Sequence, residues 1–419
     1  MSHLLMIESW VGGTARILPE AILAAGHRYT FVTRNPEHYK AGVTGVQEHP
    51  VLTHACRVLT LETNDTTGLI EQLQCHHAAD GFDGALTICD YYLETVVHVA
   101  QALAIPHPFP ASMAVERRKD RVRLALDKAG IANPLWTLVH TWESALAAAH
   151  TIGFPLVLKP TDLASSAHVR LLRDDDELLQ AFTKLRAVER NFRGQPRETG
   201  ILLEEYLQGE EYSVEICTVD RSTVVLGVTD KSLAGAPYFI EDGHMFPARL
   251  DRASLRELEE FGKRVVEAVG HDRGIAHIEV KRTPEGPRLI EINPRMAGNY
   301  IVELVRHVTG LDLILCTIDL ALGKRPPLTV GMGTARSAAI KFLVPPRAGV
   351  LRSIAGVEAL ASHPRIVRWH MEPIAGAVIG EPIDNACYLG HVAVVDPDGP
   401  TARELAEDVV RKLELVYEV

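Results

Sequence analysis

An acidic hairpin at residues 276–295, AHIEVKRTPEGPRLIEINPR, carries the residues whose types and spacing most clearly predict chemistry. Two alternating runs flank a Thr-Pro-Glu-Gly-Pro turn, which is typical of a β-hairpin. With the turn centred near Glu285, Glu279 lies directly opposite Glu291. Opposed carboxylates repel each other, so this arrangement makes sense where a divalent cation lies between them. Together with the amide oxygen of Asn293, the two carboxylates form a set of hard oxygen ligands that suits magnesium.

The alternation within the hairpin also assigns each side chain to a face. Ile278 and Val280 are predicted to face the core from the first strand, and Ile290 and Ile292 from the second. The acidic residues share the opposite face with Arg295, where the second strand opens into a loop. The alternative interpretation of this pattern is a solvated face of an antiparallel sheet.

The first hundred residues contain strands and helices in alternation, predicted at residues 4–7, 15–25, 29–33, 84–88 and 91–103. Such alternation is typical of βαβ units with a parallel sheet. The stretch lacks the G-x-G-x-x-G pattern, so a nicotinamide dinucleotide site is not favoured. The adjacent His76 and His77 are interpreted as part of a solvated loop, because neighbouring side chains diverge and do not readily ligate one metal.

The middle of the chain contains a charged amphipathic helix and further strands and helices, predicted at residues 116–130, 137–140, 142–152, 155–159 and 174–185. A polar segment at 191–199 is expected to be an exposed loop. Strands then dominate up to about residue 230, and a helical apolar stripe follows at 255–269. From about residue 326, short strands and helices are interpreted as a smaller closing unit.

Composition limits the classes of function. A chain of 419 residues is expected to form two to four structural units. Its formal charge of −11 argues against a nucleic-acid partner, which needs clustered Lys and Arg. No apolar stretch approaches the roughly 20 residues of a membrane helix, and the N-terminus lacks an export-type pattern. The six cysteines are scattered, as is typical of reduced thiols. We therefore expect a cytoplasmic protein that binds neither nucleic acid nor membrane.

The ordered motifs from about Lys119 to Arg295 resemble those of the ATP-grasp superfamily, and the whole chain looks like its amino-acid ligase branch. The resemblance implies an α/β and α+β fold in which two lobes grip ATP with two magnesium ions, for which manganese can substitute. It implies a Rossmann-like parallel-sheet domain, an entry helix with a small mobile lid, a larger antiparallel-sheet ATP/Mg domain and a C-terminal subdomain, at residues 1–112, 113–203, 204–325 and 326–419.

The resemblance also assigns residues that would hold ATP. In RRKDRVRLALDKAGIANP, Lys119 would reach the nucleotide and Arg123 would be a nearby cation. In PLVLKP, Lys159 would be the second nucleotide lysine, a point charge suited to phosphate. The segment TDLASSAHV matches the mobile phosphate loop but lacks the family's glycines, so Ser165 and Ser166 would supply hydroxyl and backbone donors.

The stretch ILLEEYLQGEEYSVE resembles the hinge between the lobes. In the family, an acid opens the hinge, backbone groups read the adenine edge, and a second acid seven residues later takes the ribose hydroxyls. These roles fall in order on Glu204, on Glu205, Tyr206 and Leu207, and on Glu211.

The remaining assignments concern metal and substrate. The metal ligands would be Glu279, Glu291 and Asn293. The segment PYFIEDGHMFPARL resembles an E-x-x-H…P motif beside the acceptor pocket, in which an acid holds a substrate ammonium and a histidine orients or deprotonates the amine. The substrate-binding set is then Glu241, His244, Arg295, Gly298 and Asn299, with His244 and Arg295 as the catalytic residues.

The resemblance implies that a homodimer joins amino acids through an acyl-phosphate, releasing ADP and phosphate. A first alternative is a carboxylase-like or purine-pathway ATP-grasp ligase that activates bicarbonate or formate. The sequence lacks a biotin-acceptor Met-Lys-Met pattern, and the E-x-x-H segment favours an amino acid. A second alternative is an inactive ATP-binding regulatory protein, against which the complete set of acidic ligands and Arg295 argues.

Overall fold

The computed structural model describes residues 1–40, 48–234, 237–372 and 376–418. Across these ranges, no helix combines the length and the apolar character that crossing a bilayer requires. The described residues form four sheets, and the mixture of one parallel and several antiparallel sheets confirms the predicted fold class.

The N-terminal part is a parallel sheet of four strands in the order β3-β2-β1-β4. Its strands are β1 (His3–Ile7), β2 (Arg28–Thr33), β3 (Arg57–Thr60) and β4 (Gly84–Leu86), and its helices are α1 (Leu18–Ala24), α2 (Pro50–Thr53), α3 (Thr66–Asp80) and α4 (Leu93–Ala102). The sequence does not predict β3, because this edge strand is largely exposed and has no apolar run. His76 and His77 lie on α3, so the solvated loop predicted there is wrong.

The lid is an antiparallel sheet of four strands in the order β5-β8-β6-β7. Its strands are β5 (Trp136–Val139), β6 (Leu156–Pro160), β7 (Arg170–Leu172) and β8 (Ile201–Glu205), covered by α7 (Trp142–Ile152) and α8 (Asp175–Arg186). The predicted helix at 116–130 is two helices, α5 (Met113–Glu116) and α6 (Lys119–Lys128), because Arg118 between them has an extended backbone. The apolar side of α6 packs in the core of the neighbouring large sheet rather than in that of the lid.

A loop of the lid reaches into the N-terminal part. Arg193 is 7% exposed, although the segment was predicted to be an exposed loop. Its guanidinium carbon lies 5.7 Å from the ring centre of Trp10 and 5.6 Å from that of Tyr39. One of its nitrogens lies 3.9 Å from Glu8. The prediction fails here because a charged residue is buried by paired charge and aromatic faces from a distant segment.

The large sheet has eight strands in the order β13-β12-β9-β10-β11-β14-β18-β16. Its first five strands along the chain are β9 (Glu210–Val219), β10 (Ser222–Ala234), β11 (Ile240–Phe246), β12 (Gly274–Thr283) and β13 (Gly286–Asn293). The accompanying helices are α9 (Arg252–Val269), α10 (Ile301–Thr309) and α11 (Leu313–Ala321). The predicted apolar stripe of α9 packs on this sheet.

The C-terminal part completes the large sheet and adds a small one. The strands β14 (Ser337–Phe342), β16 (Ile366–Met371) and β18 (Gly390–Asp396) join the large sheet, and β15 (Gly349–Ala355), β17 (Ala377–Ile379) and β19 (Glu414–Tyr417) form the small one beside α12 (Ala402–Arg411). Hydrogen bonds between β11 and β14 therefore cross the predicted boundary at 325/326. The four-part division of the chain stays a prediction, with this sheet continuous across its last border.

Candidate functional site

A cleft lies between the lid and the large sheet. Strand β6, the segment after it, the connection from β8 to β9, and the hairpin β12–β13 all contribute to its walls. The predicted site residues that line it are Lys119, Lys159, Ser166, Glu204, Glu205, Tyr206, Leu207, Glu211, Glu241, Glu279 and Glu291. Motifs that are far apart in the sequence thus meet in one place.

A buried ion network fixes the start of the hinge at Glu204. Its Oε1 lies 2.7 Å from Arg123 Nε, and its Oε2 lies 2.6 Å from Lys159 Nζ. Arg123 also donates to the carbonyl oxygen of Ile290 at 3.0 Å. The Arg123 side chain is 1% exposed, and its contacts with Glu204 and Ile290 tie α6 to β8 and β13. Arg123 thus lies near the predicted nucleotide residues, as expected of a nearby cation, but its contacts are with the protein.

The charges in this network shift one another. Burial lowers the pKa of Lys159 to about 8, against the opposing effect of Glu204. Burial tends to raise the pKa of Glu204, but the positive charges of Arg123 and Lys159 outweigh it and lower this pKa overall. Glu204 alone does not offset the cost of burying the charged Lys159, and a nearby phosphate anion would favour its charged form.

The hinge backbone between β8 and β9 is held against β12 at Gly209. Its φ is +145°, and a Cβ at this position would lie 2.1 Å from the carbonyl oxygen of Arg282, so glycine is required here. The apolar side chains of Val157, Leu207 and Ile290 line the adjoining cleft walls. Apolar walls beside exposed hinge backbone suit a flat heteroaromatic base.

The segment that matches the phosphate loop has no glycine, but its backbone has the conformation that glycine adopts most easily. Ser165, Ser166 and His168 have φ values of 61°, 55° and 61°, in the left-handed region that other residues rarely enter. Two hydrogen bonds to other parts of the chain hold the loop. Leu163 O accepts from Lys119 Nζ at 3.0 Å, and Ala164 N donates to a tyrosine hydroxyl of the N-terminal part at 3.2 Å. Serines therefore occupy a turn of the kind that glycines usually form.

The hairpin shows the predicted pairing but reaches it by another route. Thr283 pairs with Gly286 across a two-residue turn, so the turn centre lies half a residue before the predicted one. A β-bulge then leaves Ile290 unpaired, and Glu279 pairs with Glu291. The bulge offsets the displaced turn and brings the two carboxylates opposite each other.

The same bulge corrects the face assigned to Ile290. Ile278, Val280 and Ile292 are buried as predicted, at 0%, 0% and 2% exposure. Ile290 instead lines the cleft beside Glu291, because a bulge interrupts strict alternation and re-aims a side chain. The prediction that Ile290 faces the core is wrong.

Two lysines supply the positive charge that meets the paired carboxylates. Lys119 Nζ lies 2.8 Å from Glu291 Oε1. Lys231 Nζ lies 3.0 Å from Glu279 Oε1, and its side chain is fully buried. The floor of the cleft therefore alternates acidic and basic groups, an arrangement that accepts both a cation and a polyphosphate.

Lys231 is absent from the predicted set, although it is central to the site. Its Nζ also lies 3.0 Å from Glu241 Oε1 and 3.3 Å from Glu211 Oε1. Burial lowers its pKa, but the surrounding carboxylates raise it well above the ordinary value overall. Burial tends to raise the pKa of Glu279, but the charge of Lys231 lowers it more strongly. The resulting pKa is about 2. The sequence signal for Lys231 is its cross-strand pairing with the oppositely charged Glu211.

The hairpin fits a magnesium ion that is coordinated partly by the protein and partly by the phosphates of a nucleotide. Within the described ranges, no group of three or more His, Cys, Asp or Glu side chains forms a metal centre by itself. Glu279, Glu291 and Asn293 offer two carboxylates and one amide oxygen, and Mg²⁺ commonly takes one or two carboxylates with substrate phosphates. Lys119 and Lys231 lie against these carboxylates, so a metal ion here would share the two acids with the ammonium groups or replace those contacts.

Glu241 lies where the cleft meets the C-terminal part. Its Oε2 accepts from Asn299 Nδ2 at 2.9 Å, its backbone N donates to Asn385 Oδ1 at 3.0 Å, and its carbonyl accepts from the Tyr388 hydroxyl at 2.7 Å. Asn299 has a φ of 49°, next to Gly298, whose position leaves open space around a Cβ. The carboxylate is thus held by groups that come from separate segments.

His244 lies on β11 rather than in a loop, and its side chain is fully buried. Its Nε2 lies 3.2 Å from Glu241 Oε2, and its ring packs edge-on against Phe342 at 5.8 Å. Neither ring nitrogen makes a hydrogen bond of good geometry to another described residue. His244 is therefore connected to the cleft by its contact with Glu241.

Arg295 is held by the N-terminal part. Its Nε donates to Asp90 Oδ1 at 2.9 Å, and its Nη1 donates to the carbonyl oxygen of Met296 at 2.9 Å. Burial tends to raise the pKa of Asp90, but Arg295 and Arg117 outweigh it and lower this pKa. Asp90 is also absent from the predicted set. The signal for it is its place just after β4, at the carboxyl edge of the parallel sheet, where ligand sites of such sheets lie.

The structure leaves some predicted residues outside the lining of the cleft, namely Ser165, His244, Asn293, Arg295, Gly298 and Asn299. Two of them, His244 and Asn299, contact Glu241, which does line it. The predicted nucleotide residues therefore lie almost entirely in one cleft, and two of the predicted substrate residues lie behind Glu241.

Comparison with known proteins finds related domains along the chain. The ATP-grasp domain matches residues 152–303, the ATP-grasp N-terminal domain matches residues 20–107, and the L-amino acid ligase C-terminal domain 2 matches residues 341–418. Carnosine synthase 1 from Gallus gallus is 28% identical over 362 residues, which are 83% of this chain and 37% of that protein. Alanine–anticapsin ligase from Bacillus subtilis is 27% identical over 281 residues, 63% of this chain and 59% of that protein.

The chain thus spans about a third to three fifths of the length of these two relatives. Among solved structures, an L-amino acid ligase from Bacillus licheniformis has a TM-score of 0.83 at 21% identity, covering 100% of this chain and 99% of that one. The chain therefore belongs to the ATP-grasp superfamily of ATP-dependent ligases, and its C-terminal residues match a domain of L-amino acid ligases.

Proposed function

We propose that this protein joins two amino acids by an amide bond, using ATP to activate one carboxylate as an acyl-phosphate. The observation that carries the proposal is the pairing of Glu279 with Glu291 on the floor of a cleft that also holds Lys119, Lys159 and the hinge. A nucleotide gripped at the hinge would extend its phosphates toward this acidic pair. The C-terminal ligase domain and the names of the relatives support amino acids as substrates.

In the first step, an oxygen of the substrate carboxylate attacks the γ-phosphorus of ATP, and the bond from this phosphorus to the bridging oxygen of ADP breaks. Repulsion between anions is the main obstacle. Lys119 and Lys159, which line the cleft, would offset this charge. Magnesium held by Glu279 and Glu291, with the Asn293 amide, supplies further charge neutralisation to the phosphates when bound.

In the second step, a neutral amine attacks the acyl carbon, the bond to the phosphate oxygen breaks, inorganic phosphate leaves, and the nitrogen loses one proton to the phosphate or to solvent. Glu241 would bind a substrate ammonium, with His244 and Asn299 fixing its carboxylate. Arg295 would stabilise the acyl-phosphate and the tetrahedral state that follows. The lid would exclude water, which otherwise hydrolyses the activated acid.

A screen of amino-acid pairs tests the proposal. Purified protein is incubated with ATP and Mg²⁺, phosphate release is measured for each pair, and products are identified by mass spectrometry. We expect phosphate release that depends on a specific pair, with one amide of matching mass. Arg295→Ala should slow this reaction by roughly 10²-fold or more, the scale of one oxyanion donor.

Other outcomes of the screen would contradict the proposal. Phosphate release with bicarbonate or formate and no amino acid would favour a carboxylase-like or purine-pathway ligase. ATP binding without turnover across the whole panel would favour a regulatory protein. Substrate identity, assembly as a homodimer and location in the cytoplasm stay predictions.

A further inference from the structure

A single carboxylate from the N-terminal part holds the guanidinium of Arg295. Asp90 is 1% exposed, and it lies 205 positions from Arg295 in the sequence. Its Oδ1 accepts from Arg295 Nε at 2.9 Å, while its Oδ2 accepts from the indole Nε1 of Trp10 at 3.0 Å. Arg117 Nη1 lies 3.8 Å from Oδ1. Both oxygens of the carboxylate thus accept hydrogen bonds, and the carboxylate joins the parallel sheet to the end of the hairpin β12–β13.

The indole that fixes Asp90 is itself fixed. The ring of Trp10 packs edge-on against Tyr91, with the ring centres 5.6 Å apart. The guanidinium carbon of Arg193 also lies near the Trp10 ring, at 5.7 Å from the ring centre. Because each group in the series has a defined partner, the orientation of the Asp90 carboxylate is set before any substrate binds.

The contacts leave part of the Arg295 guanidinium available. Nε and Nη1 are used by Asp90 and by the carbonyl oxygen of Met296. Among the described residues, Nη2 has no hydrogen-bond acceptor, and the side chain is 15% exposed. A planar guanidinium held at two nitrogens presents its remaining N–H groups in a defined direction.

We propose that Asp90 is the positioning residue for Arg295, so that the N-terminal sheet takes part in the reaction by orienting the cation that stabilises the acyl-phosphate stage. The inference rests on the proposed role of Arg295. It goes beyond that role because it assigns a function to a residue outside the cleft. Asp90 acts through Arg295 and does not itself touch the reacting atoms.

A double-mutant cycle distinguishes positioning from simple attachment of the two parts. The variants are Asp90→Asn, Arg295→Gln and their combination, with Asp83→Asn as an exposed control in the same part of the chain. We expect Asp90→Asn alone to lower the rate of amide formation by roughly 10- to 10²-fold, since a misplacement of about 1 Å can cost 10²-fold. The KM for ATP should stay nearly unchanged, because hinge contacts are untouched. In the Arg295→Gln background, Asp90→Asn should produce no further loss.

Two results would overturn the inference. Rate losses that multiply in the double variant would mean that Asp90 acts independently of Arg295. A crystal structure of the Asp90→Asn protein in which the Arg295 guanidinium keeps its orientation would also refute it, and this readout needs no activity. If wild-type protein releases ADP with another acid but makes no amide from amino acids, the proposed substrates fail, and the same cycle is read from that ADP release.

Discussion

Replacing Arg123 with methionine should destabilise the protein without removing any group that touches a substrate. Arg123 is 1% exposed and makes two hydrogen bonds to Glu204, at 2.7 and 3.2 Å, and a third to the carbonyl oxygen of Ile290 at 3.0 Å. Methionine has a similar length and fills most of the space. The change therefore removes charge and hydrogen bonds more than it creates a cavity.

The magnitude follows from what the other partners lose. Breaking a buried ion pair on one side typically costs about 3–5 kcal/mol, because the remaining charge stays buried. Glu204 keeps its contact with Lys159 at 2.6 Å, so we expect the lower end, about 3 kcal/mol. One kcal/mol shifts the melting temperature of a 150–250-residue unit by roughly 2–4 °C, so the unfolding midpoint should fall by roughly 6–12 °C.

The assay is thermal unfolding followed by circular dichroism, with Arg121→Met as the matched control. Arg121 lies on the same helix, α6, but is exposed. The control should leave the midpoint nearly unchanged, because exposed substitutions usually change stability by less than about 0.5 kcal/mol. If Arg123→Met and Arg121→Met give the same midpoint, the reasoning that a buried ion network supports the hinge is refuted.

Three further predictions concern the walls, the core and the lid. Ile290→Ala should raise the KM for ATP by roughly tenfold with little change in kcat, because a loss of about 1.4 kcal/mol of apolar contact affects ground and transition states alike; an unchanged KM would remove Ile290 from the nucleotide site. Burial lowers the pKa of His271, but Glu116 at 3.0 Å raises it overall above 6.5, so the pair stabilises the fold fully below pH 6.5 and loses this effect as pH rises through the raised value. Melting curves on both sides of that pH should show this slope in the wild type and lose it in Glu116→Gln, and an equal slope in both would contradict the assignment. Arg193→Met should loosen the lid from the N-terminal part, and the ratio of ADP released to amide formed should rise as water enters; an unchanged ratio would mean that this contact does not close the site.

The sequence predicts well those features that depend on local pattern. The predicted pairing of Glu279 with Glu291 is observed, although a bulge rather than the predicted turn centre produces it, and the acidic hinge motif begins where β8 ends. Apolar periodicity likewise predicts α9 and the packing of its stripe on the large sheet. In each case the interacting residues are near in sequence, or repeat with the period of their element.

Features that depend on contacts between distant segments are not accessible in this way. Lys231 and Asp90 become important because other parts of the chain surround them with charge, and Arg193 is buried by rings of the N-terminal part. The exposure of Ile290 to the cleft depends on a bulge of one residue, which period-two alternation does not signal. A prediction from one sequence therefore identifies nucleotide-contacting groups more readily than the residues that orient them.

The continuity of the large sheet through β11 and β14 has a practical consequence for dividing the chain into pieces. A fragment that stops before β14 would present the whole edge of β11, with unpaired amide and carbonyl groups, to solvent. Exposed strand edges of this kind recruit other chains and promote aggregation. Separate expression of the nucleotide-gripping core is therefore expected to yield insoluble material, and shortened versions should keep the C-terminal strands or replace them with a capping strand.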